Sequence, residues 1–271
     1  MRYRKIQPPV HLKPYVECFF VWECTLDQPL RVESPPTGFS SVVFNYGEPY
    51  HVSNFKFDEP KLVPKAFLTG QSTRNYELSL IGTIGMVGIV FRPAGLGTLF
   101  NLPLAELADE RIDLRDLFKS QEVADLSDKI SDSTTYQERI WLLLEFLNLK
   151  LLQNEHRFDN IDYAANRIVD ANGIMNVQEL MNDLYMCRRQ FERKFLQKVG
   201  LSPKYYARIR RLGHICSLMA GKRKVNWQHL LYECDYYDQA HFIKDFTAFL
   251  GRTPTDYLQN NVELVHFLKQ G

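Results

Sequence analysis

CRRQFERKFLQKVGLSPKYYARIRRL (187–212) is echoed by LLYECDYYDQAHFIKDFTAFLGRTPTDY (230–257). At an offset of 51, Phe191 matches Phe242, Arg193 matches Lys244, Phe195 matches Phe246 and Gly200 matches Gly251. Ser202-Pro203 matches Thr253-Pro254, Tyr206 matches Tyr257, and upstream Leu180 matches Leu231. The shared pattern is F-x-[RK]-x-F-x4-G-x-[ST]-P-x2-Y. Agreement at so many positions, several of them Gly, Pro or aromatic, points to two copies of one supersecondary unit.

Each copy reads as two helices around a tight turn. In the first, Asn176 caps a helix running to about Leu184, with Glu179 completing a capping-box-like pair. The turn Tyr185–Cys187 leads into a second helix, Arg188–Val199. Steps of four put Phe191, Phe195 and Val199 on its inner face and leave Arg188, Arg189, Gln190 and Arg193 outside. Gly200 stops that helix, and Ser202-Pro203 starts the next as cap and first residue. In the second copy a helix from about Asn226 to Cys234 precedes the turn Asp235–Tyr237. Asp238 then caps Gln239–Leu250, with Phe242 and Phe246 inward and Gln239, His241 and Lys244 outward. A helix, a short turn and a second helix with a polar N-terminal face is the arrangement that enters a DNA major groove. The competing reading is a pair of purely structural hairpins.

Charge favours the first reading. The formal net charge is +1, but residues 1–159 hold 17 basic against 21 acidic residues and residues 160–271 hold 16 against 11. Between 187 and 224 stand twelve Lys and Arg and one acid, Glu192. A solvated helix face interleaves both signs, whereas a near single-sign stretch suits a polyanion.

The last hundred or so residues resemble the AraC-type transcription regulators, through the two stretches quoted above, the D-Q-[AS]-H-F-x-[RK]-x-F core and the G-x-[ST]-P ending. The resemblance implies a DNA-binding domain of two helix-turn-helix units joined by a long helix, here about Lys204 to Met219. It implies that Arg188, Arg189, Gln190 and Arg193 approach one major groove and Gln239, His241 and Lys244 the next. Arg208, Arg210, Arg211, Lys222, Arg223 and Lys224 are then expected at phosphates, which set affinity and salt dependence rather than sequence preference. If the connecting helix is rigid and its spacing does not match the ~34 Å turn of straight B-DNA, the duplex bends or one unit lifts off. Two departures stand out: Cys187 replaces the usual Ser cap, at a cost of about 1 kcal/mol, and Asp235 replaces the usual Gly.

Residues 1–100 read mainly as strands: 18–25, 41–46, 65–69, 76–81 and 86–92 are rich in Val, Ile, Phe, Tyr and Thr and are separated by Pro/Gly turns. Apolar spacing from Leu96 to Phe118 suggests short helical turns. The segment 85–118 loosely resembles the domain preceding the reader in one branch of that family, which implies a cupin-like sensor or oligomerisation module. After a break at 131–135, residues 136–155 form an uninterrupted apolar helix pattern, suited to the core or to a subunit interface. The expected fold is therefore α+β in two domains: a β-rich, cupin-like domain (1–130), a helix and linker suited to dimerisation (131–160), and an all-α double helix-turn-helix domain (161–271).

Other chemistries find little support. The five cysteines form no CxxC pair, which argues for free thiols in a reducing cytosol. Before residue 156 the histidines are His11 and His51, so a cupin metal site is not expected. No GxSxG, P-loop or GxGxxG occurs in a strand–turn–helix setting. No run of about 18 apolar residues indicates a membrane span, and the start of the chain does not read as a secretory signal. The expectation is a cytoplasmic regulator, without enzymatic activity or cofactor, acting on double-stranded promoter DNA. A homodimer and, for an activator, RNA polymerase are its expected protein partners. A small-molecule effector could be held by Trp22, Phe44 and Arg92, with Phe19 and Tyr46 nearby; Arg92 is the candidate for a carboxylate. The alternative is a constitutive regulator whose N-terminal half only oligomerises.

Overall fold

In the computed structural model, which describes residues 2–118, 121–153, 158–222 and 224–259, the β-branched and aromatic runs of the first third form one antiparallel sheet. Its strands are β1 (Arg2–Ile6), β2 (Val16–Ser34), β3 (Ser40–Asn45), β4 (His51–Asn54), β5 (Lys61–Leu62), β6 (Ala66–Thr69), β7 (Tyr76–Phe91) and β8 (Arg111–Asp113). The main path runs β1-β2-β7-β3-β6-β8, with β4 paired to β5 and β7. Long β2 and β7 pair from Val16↔Phe91 to Ser34↔Tyr76, with a register shift between Leu26 and Leu30. The other edge of β7 is shared, its first half by β4 and its second by β3.

The two strands expected at 76–81 and 86–92 are thus one. Between them Gly82 adopts φ +69°, and at Gly85 a Cβ would lie 2.6 Å from the Tyr46 ring. The glycines that suggested a break instead let a continuous strand bend over its neighbours.

Period-two alternation gives this sheet two apolar faces. Phe19, Val21, Val42, Phe44, Leu68, Val87 and Ile89 pack on one side with the helices that follow. These are α1 (Gly95–Phe100), a 3-10 turn at Leu104–Leu107, α2 (Leu114–Phe118), α3 (Gln121–Asp132) and α4 (Tyr136–Gln153). The alternate residues Trp22, Val43, Phe67 and Met86 meet Tyr50, Val52, Leu78 and Leu80 on the other side, where the curled sheet folds over itself.

The remaining elements are helical: α5 (Asn160–Asp170), α6 (Val177–Asp183), α7 (Arg188–Val199), α8 (Pro203–Met219), α9 (Trp227–Glu233), α10 (Gln239–Leu250) and α11 (Pro254–Gln259). They share a third core built on Ile168, Phe191, Phe195, Tyr206, Ile215, Phe242, Phe246 and Tyr257. The fold is α+β, a β-rich part with a helical extension followed by an all-α part. Among the described residues, no helix is long and apolar enough to cross a membrane.

The two parts are tightly joined. Arg92 pairs with Glu17 at 3.5 Å and with Asp170 of α5 at 2.5 Å. Glu33 of β2 binds Arg252. Lys198 near the end of α7 binds Asp162 of α5, whose carboxylate also accepts from Thr98 of α1 at 2.7 Å. Gly200, at φ +93°, packs so closely that a Cβ would come within 2.7 Å of the Leu104 carbonyl.

Candidate nucleic-acid interface

Local chemistry sets each half of the double unit. Asn176 caps α6 by accepting from the Gln178 amide at 2.9 Å, and Asn226 caps α9 through the His229 amide at 3.1 Å. Asp238 caps α10 through the His241 amide at 2.7 Å. Ser202 caps α8 with Pro203 in its first turn. Gly200 and Gly251 end α7 and α10 in the left-handed region.

The repeat is not strictly in step. Caps Asn176 and Asn226, buried Leu180 and Leu230, and left-handed Tyr185 (φ +51°) and Asp235 (φ +52°) all correspond at an offset of 50. The second helices correspond at 51, so the second turn carries one extra residue. Leu180 therefore matches Leu230 rather than Leu231. Asp235 adopts the left-handed backbone that its place in the family pattern requires, and Tyr185, exposed in the first turn, does the same.

Cys187 precedes α7 with extended backbone and makes no side-chain cap. A hydroxyl at this position would accept from the amides of the first turn of α7 and is expected to stabilise the protein. Cys187→Ser should add about 1 kcal/mol in urea unfolding, and an unchanged midpoint would show that solvent already satisfies those amides.

The outward residues of both second helices face solvent. Arg188, Arg189, Gln190 and Arg193 on α7 are exposed, as are Gln239, His241 and Lys244 on α10. Arg188 is held by Glu192 one turn along, at 2.8 Å. Arg188 on one side and His241 and Lys244 on the other border a single groove crossed by Lys204, Ala207, Arg208 and Arg211 of α8. The two helices therefore present their polar ends to one face of the domain, with α8 between them.

Arg208 and Arg211, expected at phosphates, are engaged within the protein. Arg208 donates to both oxygens of buried Asp245, at 2.7 and 3.2 Å, tying α8 to α10. That carboxylate raises the Arg208 guanidinium above its ordinary range. Arg211 donates to the Asp235 carbonyl at 3.2 Å and the Gly173 carbonyl at 3.3 Å. Arg210 is buried, binds the Thr37 carbonyl and lies 4.3 Å over the Phe39 ring. A guanidinium pattern on a helix cannot distinguish a phosphate contact from a helix joint when the partner carboxylate or carbonyl is distant in sequence. Lys222 and Lys224 are exposed, and Arg223 lies outside the described residues.

The effector candidates separate. On the folded-over side of the sheet lies a cavity of about 170 Å³, lined in part by Trp22, Val43, Tyr50, Phe67, Tyr76 and Arg111. Phe44 is on the opposite face, packed toward the helices, and Arg92 is committed to its two carboxylates. The side chains of Phe19 and Tyr46 do not line the cavity either. Arg111 is the cation that faces it. Sequence reasoning passed over this residue because it sits among acids, in D-E-R-I-D, where a surface ion pair is the plain expectation. Among the described residues, no cluster of His, Cys, Asp or Glu is arranged to hold a metal. The five cysteines are free, and burial pushes the Cys18 and Cys234 thiols up to about 11.

Residues 180–260 match the family model of a helix-turn-helix domain, and residues 4–113 match a domain of unknown function, DUF6597. No curated relative matches the chain. Among solved structures, the chain is similar to ToxT from Vibrio cholerae, at 13% identity and a TM-score of 0.44 over 89% of this chain and 97% of that one. Unsaturated fatty acid bound wild-type ToxT gives 14% and 0.44 over 88% and 93%. The AraC-like transcriptional activator CuxR gives 11% and 0.29 over 95% and 98%. Residues 180–260 thus belong to a helix-turn-helix domain, in agreement with the two helix–turn–helix units that the geometry shows there.

Proposed function

We propose that the protein reads two adjacent major-groove segments of a promoter with α7 and α10. The observation that carries this reading is the exposure of both polar helix ends on either side of one groove floored by α8. In this assignment Arg188, Arg189, Gln190 and Arg193 serve one segment and Gln239, His241 and Lys244 the other. Arg suits the acceptor pair of guanine, and Gln the acceptor and donor of adenine. Where the two helix ends stand closer than the ~34 Å of a B-DNA turn, simultaneous engagement requires a bent duplex. Arg208 and Arg211 act mainly by fixing the two units relative to each other.

Arg189→Ala and His241→Ala are each expected to weaken specific binding by about 1–3 kcal/mol in gel-shift titrations, with little change on random DNA. Unchanged affinities for both variants would sink the assignment.

We further propose that the N-terminal part is a sensor whose small-molecule effector modulates the DNA reader. Ser34, Pro35, Thr37, Phe39 and Ser40 help to wall the cavity. The same segment seats α8, since Tyr206 donates to the Gly38 carbonyl at 2.8 Å and Arg210 binds the Thr37 carbonyl. Gly38 has φ +77°, and a Cβ there would stand 2.5 Å from Arg210. A ligand that shifts this strap therefore bears on the helix joining the two readers. Functionally the chain divides into a sensor (1–130), a helix and linker (131–160) and the DNA-binding part (161–271), acting in the cytoplasm. α4 leaves Trp141, Leu149 and Leu152 exposed, which favours it as the homodimer face. The same face suits the constitutive alternative, in which the N-terminal part only oligomerises. Contact with RNA polymerase follows if the protein activates.

A further inference from the structure

The cavity against β2, β3, β6 and β7 has a specific chemical character. Its walls are largely aromatic and aliphatic, from Phe20, Trp22, Phe39, Phe67, Leu78 and Met86. One side chain there carries a formal charge, Arg111. The Arg111 guanidinium lies 4.2 Å over the Tyr76 ring. Among the described residues, no carboxylate comes within ion-pair distance of it, and its guanidinium makes no hydrogen bond. Ser40 Oγ, fully buried on the same wall, has no hydrogen-bond partner. Tyr50 is buried there too; burial pushes its hydroxyl well above the usual range, while nearby Arg111 pulls the other way. It stays protonated and able to donate.

We propose that this cavity binds a compact monocarboxylate with an apolar body about the size of a single benzene ring, its acid group held by Arg111. The proposal rests on the sensor reading above and names its ligand class. Volume sets the size: a protein cavity of about 150 Å³ accommodates benzene. A long-chain acid would leave much of its apolar tail outside it, in water. Charge sets the headgroup, because a guanidinium fork without a protein carboxylate matches one carboxylate in two hydrogen bonds. A single cation also disfavours a dianion, and the apolar walls disfavour inorganic phosphate, which would leave them uncovered. Ser40 and Tyr50 supply neutral hydrogen-bonding groups that suit an acid or a ring substituent.

The test uses the full-length protein with benzoate, its neutral isostere benzamide, inorganic phosphate and oleate as probes. Calorimetric titration and thermal unfolding are read alongside gel-shift affinity for a selected site. Benzoate is expected to bind saturably and raise the melting temperature. Benzamide should bind about tenfold or more weaker, the equivalent of losing one charge-assisted hydrogen bond. Phosphate and oleate should give no saturable shift. Arg111→Gln should lose benzoate binding by a similar factor. Arg111→Lys, which keeps the charge without the fork, should fall between, separating ligand loss from misfolding. Absence of saturable benzoate binding, equal binding of benzamide, preference for oleate or phosphate, or an Arg111→Gln variant that binds benzoate normally overturns the ligand class. Benzoate binding that leaves DNA affinity untouched sinks the sensor reading but not the site. A neutral probe that binds in the cavity and changes DNA affinity keeps the sensor reading and sinks the carboxylate.

Discussion

Lys198→Ala is expected to destabilise the protein by about 3 kcal/mol, at the lower end of what removing one partner from a buried ion pair costs. Lys198 closes α7 from below: its ammonium binds Asp162 and also Asp159, the latter at 3.0 Å. Asp162 is 1% exposed. It accepts from Thr98 as well, so one carboxylate joins α7, α5 and α1 of the N-terminal part. Without the ammonium, Asp162 must either remain charged in a site that excludes water or take up a proton. Burial already pushes its carboxyl upward. The sign follows from linkage: a carboxyl whose folded value lies above its unfolded value binds protons preferentially in the native state. The deficit of the variant should therefore shrink as pH falls from 7 toward 5. Urea unfolding of both proteins at the two pH values checks this. A deficit below about 1 kcal/mol, or one that grows on acidification, would mean that the site is wetter than its geometry indicates.

Arg208→Ala separates a helix joint from a phosphate contact. Asp245 is 6% exposed, and Arg208 is its bidentate partner. His241 approaches the same carboxylate at 3.9 Å and gives partial compensation if protonated. Because Arg208 is about one-third exposed, the expected loss is smaller than at Lys198, about 2 kcal/mol in unfolding without DNA. As a joint, Arg208 keeps α10 at its angle to α8, so the variant should lose specific more than random-sequence affinity. A phosphate contact would give the opposite pair of results: unchanged stability, with binding weakened on all sequences and a salt slope reduced by about 1.

Much of the helix-turn-helix part was legible because its signals are local. Asn176, Ser202, Asn226 and Asp238 lie at helix starts, Gly200 and Gly251 at helix ends, and a cap or a stop depends on neighbours a few residues away. The one-residue difference between the two turns was hidden by adjacent leucines, Leu230 and Leu231, of which burial selects the first. The sheet was legible as strands but not as topology. Strand β1 and the short pieces β4, β5 and β8 carry too few residues to show alternation, and Gly82 and Gly85 read as a break where the chain only bends. The candidate cavity was the least legible. Phe44 and Trp22 differ by face, which depends on register, and Arg92 and Arg111 exchange roles according to acids that are distant in sequence, Asp170 above all. Residue type proposed an aromatic pocket with a cation; only the fold says which cation is already satisfied.

The central claim is that two exposed helix ends on one face engage DNA together. Its most direct test is hydroxyl-radical footprinting of the purified protein on a site selected from a random pool, with Arg189→Ala and His241→Ala in parallel. The account expects two protected segments about one helical turn apart, one fading with each substitution while the other persists. A single protected segment, or protection that weakens evenly in both variants, would contradict it.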